Sequence, residues 1–381
     1  MANLPNEIIV SILSNLPVKS LLRFKCVSKS WCSWISCPKF KLSNQGRQGA
    51  IVEVYKGSTR KSFFQSINQQ LTLEELNDPF MIGDDETPLE RCMFLGSCDG
   101  LILINLNQHI YLWNPATRFS TKVLELNRLT DDGYYIRGGL CFDSSKNVYK
   151  AVLIMQHQTP SYGGEFVIVA SLEDKKWRFL EFPYDIPSVS SGITLHGRLH
   201  YKARVEKSYK NNGNNMWERV SSSNQIIYFD PISEEFNMFS VPEPKSNQEE
   251  NDIVGLGVLN ECLCMTRLED DKGGVEILVM KEYGVKESWT SLFFIRNLEI
   301  SPSYGFAVPL YMTETGGLAL ITDDRGNKVV VHNPKNDNMK NIFVEGKTGF
   351  RIGPIITYVE SLIKPEEYYW SKKRHKQFGK L

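Results

Sequence analysis

The chain has 381 residues, of which 41% are hydrophobic and 23% charged, an ordinary globular composition that excludes wholesale disorder and fibrous repeats. At roughly 150 residues per domain the length has room for two or three domains. Forty-four Lys and Arg balance 44 Asp and Glu, which argues against a general nucleic-acid coat, because displacing counterions needs a large positive excess.

The zero net charge is a sum of unlike parts. Residues 1–45 hold six basic residues against Glu7 alone, and residues 371–381 hold five with no acid. Each end is therefore +5, and the stretch between them is −10, from 33 basic and 43 acidic residues. This segregation predicts an acidic partner surface near the N-terminal segment and a neutral to basic substrate patch on the rest.

The first segment, MANLPNEIIVSILSNLP, lacks a basic start and is broken by Glu7, Ser11 and Ser14, unlike a secretory signal. No run approaches the roughly 20 apolar residues of a membrane span, so no membrane association is expected. Eight cysteines (Cys26, Cys32, Cys37, Cys92, Cys98, Cys141, Cys262 and Cys264) are sparse for this length. They read as reduced thiols of a cytoplasmic and/or nuclear protein.

Residues 1 to about 40 carry helical periodicity. Leu4-Pro5 opens a helix, since proline fits a first turn where its missing N–H costs nothing. Ile8, Ile9, Ile12, Leu13 and Leu16 then recur at three- and four-residue spacing, and Pro17 stops the run. Val18, Leu21, Leu22, Phe24 and Val27 begin another pattern, which Trp31, Trp34 and Ile35 continue to Pro38. Three short amphipathic helices have too small an interior to be stable alone. Their apolar face needs a partner or a neighbouring domain.

From about residue 50 to 363 the chain reads as short strands separated by turns. A strand runs into a turn at Tyr111-Leu-Trp-Asn-Pro115, at Ile227-Tyr-Phe-Asp-Pro231 and at Val330-Val-His-Asn-Pro334. Related units without proline lie between them, at 167–177 and 277–289. The underlying period is roughly 50–58 residues, close to the kelch value of about 50. Each period holds a strand pair joined by a tight turn (Leu195-His-Gly-Arg-Leu199, Val258-Leu-Asn-Glu-Cys262), a third strand carrying the repeat, and a fourth beyond it. Four strands per period is the arithmetic of a propeller blade. Five blades start near residues 97, 137, 191, 253 and 301. A sixth is expected from strands at 50–66 and 91–95 joined to the terminal strand 355–360, which would close the ring and remove free edges. A β-sandwich with the same strand count remains the alternative. Residues 205–225, rich in Asn and Ser, read as a long inserted loop, 243–252 as an acidic loop, and 364–381 as a basic tail.

No catalytic constellation emerges. There is no C-x-x-C, and Cys262-x-Cys264 has no neighbouring histidine. His196 and His200 are four apart, but Gly197 between them makes a strand turn rather than a helix. Gly96-Ser-Cys-Asp-Gly100 runs into Leu-Ile-Leu-Ile, a buried strand, and not into the helix that a phosphate cradle needs. No catalytic residue, metal or cofactor is therefore expected.

The residues do match a known family. Leu4-Pro-Asn-Glu-Ile-Ile-Val-Ser-Ile-Leu-Ser-Asn-Leu-Pro-Val-Lys-Ser-Leu-Leu-Arg-Phe-Lys-Cys-Val-Ser-Lys-Ser-Trp31 resembles a plant F-box nearly position for position. The rest is similar to the F-box-associated, kelch-type domain. The strings that carry this likeness are Gly96-Ser-Cys-Asp-Gly-Leu, Trp113-Asn-Pro-Ala-Thr117, Phe142-Asp-Ser-Ser-Lys-Asn-Val-Tyr-Lys150, 279–290 and Tyr358-Val-Glu-Ser-Leu362. The resemblance implies a small all-α F-box of three helices (1–45) followed by an all-β propeller of six kelch-type blades (46–363). It implies a substrate-recognition adaptor of an SCF-type (Skp–cullin–F-box) ubiquitin ligase, with a Skp-family protein, through it a cullin, and a protein substrate as partners. The residues carried over to the Skp-facing surface are Leu4, Pro5, Ile8, Ile9, Leu13, Leu16, Pro17, Leu21, Val27 and Trp31. Ile12 and Leu22 are expected to pack the three helices together. Two departures, the missing Gly-Tyr before Asp143 and the length of the 205–225 insertion, bear on substrate choice.

Overall fold

The computed structural model describes residues 4–364 except 38–39, 42–46, 57–61, 77–91, 107, 127–133, 158–164, 174–175, 183, 185–191, 207–209, 212–216, 219–221, 244–252, 270–272, 297, 299–306, 323–327 and 343–349. The basic tail 371–381 and nearly all of the acidic loop lie outside the described residues.

Three helices lead: α1 Asn6–Ser14, α2 Val18–Phe24 and α3 Lys29–Ser36. Pro5 and Pro17 stand at the residue before α1 and α2, both in the polyproline region. Pro17 therefore starts the second helix, while the first has already ended at Asn15. Ser28 caps α3, its Oγ accepting from the Trp31 N–H at 3.1 Å, the arrangement that satisfies a first-turn donor.

Six four-stranded antiparallel sheets follow. Blade 2 runs from Met93–Cys98 to Phe119–Glu125, blade 3 from Tyr134–Asp143 to Trp177–Leu180, and blade 4 from Ile193–Leu195 to Glu235–Phe239. Blade 5 runs from Ile253–Leu259 to Trp289–Arg296, and blade 6 from Ala307–Met312 to Asn338–Asn341. Blade 1 joins the two ends of the domain: Phe350–Val359 is its innermost strand, followed outward by Gln48–Lys56, Ser62–Asn68 and Leu73–Leu76. The fold is a closed six-bladed propeller and not a sandwich, and the ring closes by first–last strand pairing as expected.

Two strand assignments differ from the sequence reading. The apolar run near 91–95 is the inner strand of blade 2, where it pairs with Leu101–Leu106. The outer strand of blade 1 is Leu73–Leu76, whose Leu-Glu-Glu-Leu carries little strand signature. The 205–225 insertion is also more regular than a loop. The ladder between the second and third strands of blade 4 continues to Glu206↔Ser222, and Lys210–Asn211 pairs with Trp217–Glu218 in a two-stranded ribbon.

The repeat has a structural cause. Every unit that carries it lies at the end of a third strand, where the chain turns to the outer strand. Asn114 Oδ1 accepts from the N–H groups of Ala116 and Thr117 at 2.9 and 3.2 Å, and Asp230 Oδ1 from Ile232 at 2.9 Å. Asn333 Oδ1 accepts from Lys335 at 3.0 Å. Short side chains with a carbonyl oxygen form such turns locally, and a following proline donates nothing and so leaves the turn intact. The first-to-second turns of blades 2, 4 and 5 use two positive-φ residues, as at His196 and Gly197 (51° and 75°), the geometry that suits a two-residue hairpin. Antiparallel order therefore puts these tight turns at one end of the propeller. The connections between second and third strands and between blades lie at the other.

The core is distributed between neighbouring blades. One apolar cluster fills the space between blades 2 and 3, built from residues such as Leu103, Leu112, Leu140 and Leu153. Equivalent clusters sit between the other pairs. No blade can bury both of its faces alone, so the closed ring is the stable unit.

Candidate functional site

The helices pack through Leu13, Val18, Leu21, Ile35 and Phe40, all buried, with Ile9, Leu16, Leu22, Trp31 and Trp34 around them. Phe24 and Trp31 meet edge to face, 5.5 Å between centroids. Two residues of the propeller complete this cluster: Leu362, just past the closing strand, and Ala116 in the third-to-fourth turn of blade 2. The helical module thus sits on the tight-turn end of the ring. Glu360 accepts from the Val18 N–H at the start of α2, and Lys19 pairs with Glu74 of the outer strand of blade 1.

On the side turned away from the propeller, apolar residues stay in water. Leu4 is 56% exposed, Ile8 47%, Ile12 50% and Val27 60%. Ile8 and Ile12, four apart in α1, stack along one helical face, and Leu4 precedes that helix. A stripe of large aliphatic side chains on a soluble surface marks a docking face. Exposed Arg23 and Lys29 lie in the neighbouring helices, so the module combines apolar area with positive charge.

The ten residues carried over from sequence divide by burial. Leu4, Pro5, Ile8 and Val27 are exposed, and Ile9, Leu16, Pro17 and Trp31 are half-buried. Leu13 and Leu21 are fully buried inside the module and offer a partner no surface. Ile12, expected to pack between the helices, stands in water beside Ile8, whereas Leu22 packs inward as expected. Sequence reasoning had no access to Leu362, Ala116 and Glu360, because their relation to the helices exists only after the ring has closed.

The motifs elsewhere in the chain are architectural. Asp143 Oδ1 accepts from the N–H groups of Ser145 and Lys146 at 3.0 and 3.1 Å, shaping a turn. Its other oxygen pairs with Lys150 at 2.8 Å. Lys150 crosses to blade 4, where it meets Glu234 at 2.7 Å and the Pro231 carbonyl. This buried pairing and Ser145 hold the Asp143 carboxyl down at about 2 against the opposing effect of burial. The Met280–Trp289 string is a loop gathered by Ser288, whose Oγ donates toward the Glu282 and Val285 carbonyls and accepts from the Glu282 N–H at 3.1 Å. Tyr283 from that loop meets His200 Nε2 at 2.7 Å, and His200 Nδ1 lies 3.1 Å from the Ile193 carbonyl. A carbonyl only accepts, so the proton sits on Nδ1, and Nε2 accepts from the tyrosine hydroxyl.

The cysteines divide in the same way. Cys98, Cys141 and Cys264 are buried, and burial pushes each thiol up, away from the reactive thiolate. Cys26, Cys32 and Cys37 are exposed. Among the described residues no three His, Cys, Asp or Glu side chains gather as a metal site, and no helix is long and apolar enough to cross a membrane.

A six-bladed propeller with a small helical module seated on one end, its aliphatic face in water, is the class of protein that the fold defines. Comparison with known proteins narrows this class. Residues 1–43 match the F-box domain and residues 54–365 the F-box associated beta propeller domain. The chain belongs to the plant F-box proteins that carry this propeller. It is 29% identical over 335 residues to F-box protein CPR1 of Arabidopsis thaliana, covering 81% of this chain and 77% of that one. It is 28% identical over 387 residues to an F-box/kelch-repeat protein of the same plant, covering 96% of each. Among solved structures, a hydrazine synthase chain of Kuenenia stuttgartiensis matches 84% of this chain and 47% of its own at 8% identity, with a TM-score of 0.45.

Proposed function

We propose that this protein is the substrate-recognition adaptor of an SCF-type ubiquitin ligase, working in the cytoplasm and/or nucleus. Its F-box docks a Skp-family protein and through it a cullin, while the propeller holds a protein substrate for ubiquitination and proteasomal degradation. The observation that carries this reading is the set of large aliphatic side chains, Leu4, Ile8, Ile12 and Val27, left in water on the side of the F-box that the propeller does not cover.

The adaptor needs no reacting group of its own. Holding a substrate lysine beside a charged ubiquitin carrier raises its effective concentration, which accelerates transfer through proximity alone. The F-box occupies the tight-turn end of the ring, so the substrate is received at the opposite end or on the outer rim, clear of the Skp-family protein.

Binding to a purified Skp-family protein tests the proposal. Ile8 and Ile12 are each about half exposed, so burying what remains of each is worth about 1 kcal/mol. Ile8→Ala/Ile12→Ala is expected to raise Kd roughly 30-fold, and Leu4→Ala/Pro5→Ala to weaken binding as well. Absent binding by the wild type, or affinity unmoved by both double variants, would refute the adaptor role. A protein acting as a scaffold or inhibitor outside any ligase would keep Skp binding, yet its overexpression would deplete no protein in a proteasome-dependent way.

A further inference from the structure

The string Tyr358-Val-Glu-Ser-Leu362 belongs to the family likeness, yet neither ring closure nor partner docking accounts for its last three residues. Beyond Val359 the chain leaves the sheet, and its side chains divide between the helices and the ring. Glu360 and Leu362 point to the helices: the Glu360 carboxylate meets the Val18 N–H, and Leu362, 1% exposed, enters the cluster of Leu13, Val18, Leu21 and Ile35. Ser361 and Ile363 point to the propeller. Ile363 is buried in the core shared by blades 2 and 3.

The segment is clamped from the propeller side by one residue. Asn114, fully buried, directs its Nδ2 at the Ser361 carbonyl (3.0 Å), the Ser361 hydroxyl (3.2 Å) and the Ile363 carbonyl (2.6 Å). Its Oδ1 builds the turn that carries Ala116 to the helices. Gly100, at φ +79°, passes so close that a Cβ there would lie 2.4 Å from Ser361 Oγ and 2.5 Å from the Val359 carbonyl. On the other flank the Glu360 N–H donates to the Arg47 carbonyl at 3.1 Å, tying in the connection between helices and ring.

We propose that residues 360–363 are a two-sided joint, in which Glu360 and Leu362 seat the helical module while Ser361 and Ile363 fasten to blade 2, so that the module is ordered only on a closed ring and is held there in one orientation. The module's interior is too small to be stable alone, and the residue that completes it comes from the far end of the chain. The Lys19–Glu74 pair lies on the surface of the same contact and adds little, being exposed on both sides.

Hydrogen exchange on the full-length protein tests this without reference to any partner. Leu362→Ala is expected to speed exchange across residues 6–36 at least tenfold, while amides of the second strands of blades 2 and 3, at 101–106 and 151–155, keep wild-type rates. Ile363→Ala is expected to show the converse first response, loosening blade 2 ahead of the helices. Leu362→Met, which keeps volume, should restore helix protection to within about twofold. Helices that keep wild-type protection in Leu362→Ala, or identical profiles from the alanine variants at 362 and 363, would overturn the joint.

Discussion

Acid should expose how His200 is held. Burial keeps this imidazole neutral down to about pH 4, against about 6.5 for a free side chain. Its two ring nitrogens are already committed, Nδ1 donating to Ile193 and Nε2 accepting from Tyr283. A second proton would therefore face the Tyr283 hydroxyl in the wrong sense. The unfolded chain takes up a proton as pH falls through 6.5, and the folded chain does not until about 4. Stability from this residue is thus complete above pH 6.5 and is lost between 6.5 and 4, at up to about 1.4 kcal/mol per pH unit. The loss comes to about 2 kcal/mol at pH 5 and about 3 kcal/mol at pH 4. Denaturant unfolding at pH 7 and pH 5 measures it, with His200→Gln as the reference because glutamine donates and accepts but does not titrate here. Other groups contribute equally to both proteins and cancel in the difference. The wild type is expected to lose about 2 kcal/mol more than the variant over that step. Equal losses would show that His200 is not held neutral, and the bonding pattern deduced for it would fall.

Two further substitutions probe how the blades are joined. Lys150→Met takes the close cation from buried Asp143 and one of two cations from Glu234, which keeps Arg178, and should cost about 3 kcal/mol in denaturant unfolding. Adding Asp143→Asn and Glu234→Gln should recover much of that loss, whereas no recovery would mean that the lysine stem and not its charge carries the effect. Gly255→Ala would put a Cβ 1.9 Å from the Ala307 carbonyl oxygen, where the inner strands of blades 5 and 6 pass backbone to backbone. Neither backbone can yield without shifting its blade, so a loss of about 3 kcal/mol is expected, and an unchanged unfolding midpoint would refute the close packing.

The parts legible in the sequence were those with a local cause. The helices follow from apolar spacing between Pro5 and Pro38, and the blade count from the recurring period, which in three blades ends on an Asn or Asp whose side chain builds its own turn. Blade 1 was the place where local signals failed. Leu73–Leu76 carries two glutamates and no β-branched residue, and its membership depends on the ladder that Ser62–Asn68 offers it. The insertion in blade 4 misled for a related reason: Asn and Ser are poor strand formers, but the ladder beneath them propagates past its favourable residues. At the docking face, Ile8, Ile12 and Leu13 look equivalent in an amphipathic pattern. Only the arrival of Leu362 from the other end of the chain decides that Leu13 turns inward and that the two isoleucines stay in water.

The position of Phe350–Val359 as the innermost strand of blade 1 has a consequence for how the protein is made. The F-box and Gln48–Lys56 are synthesised long before Phe350–Val359, and until that strand arrives Gln48–Lys56 carries an unpaired edge. A chain lacking residues 350–363 has neither a closed ring nor a seat for its helices, and it leaves an open sheet edge of the kind that drives aggregation.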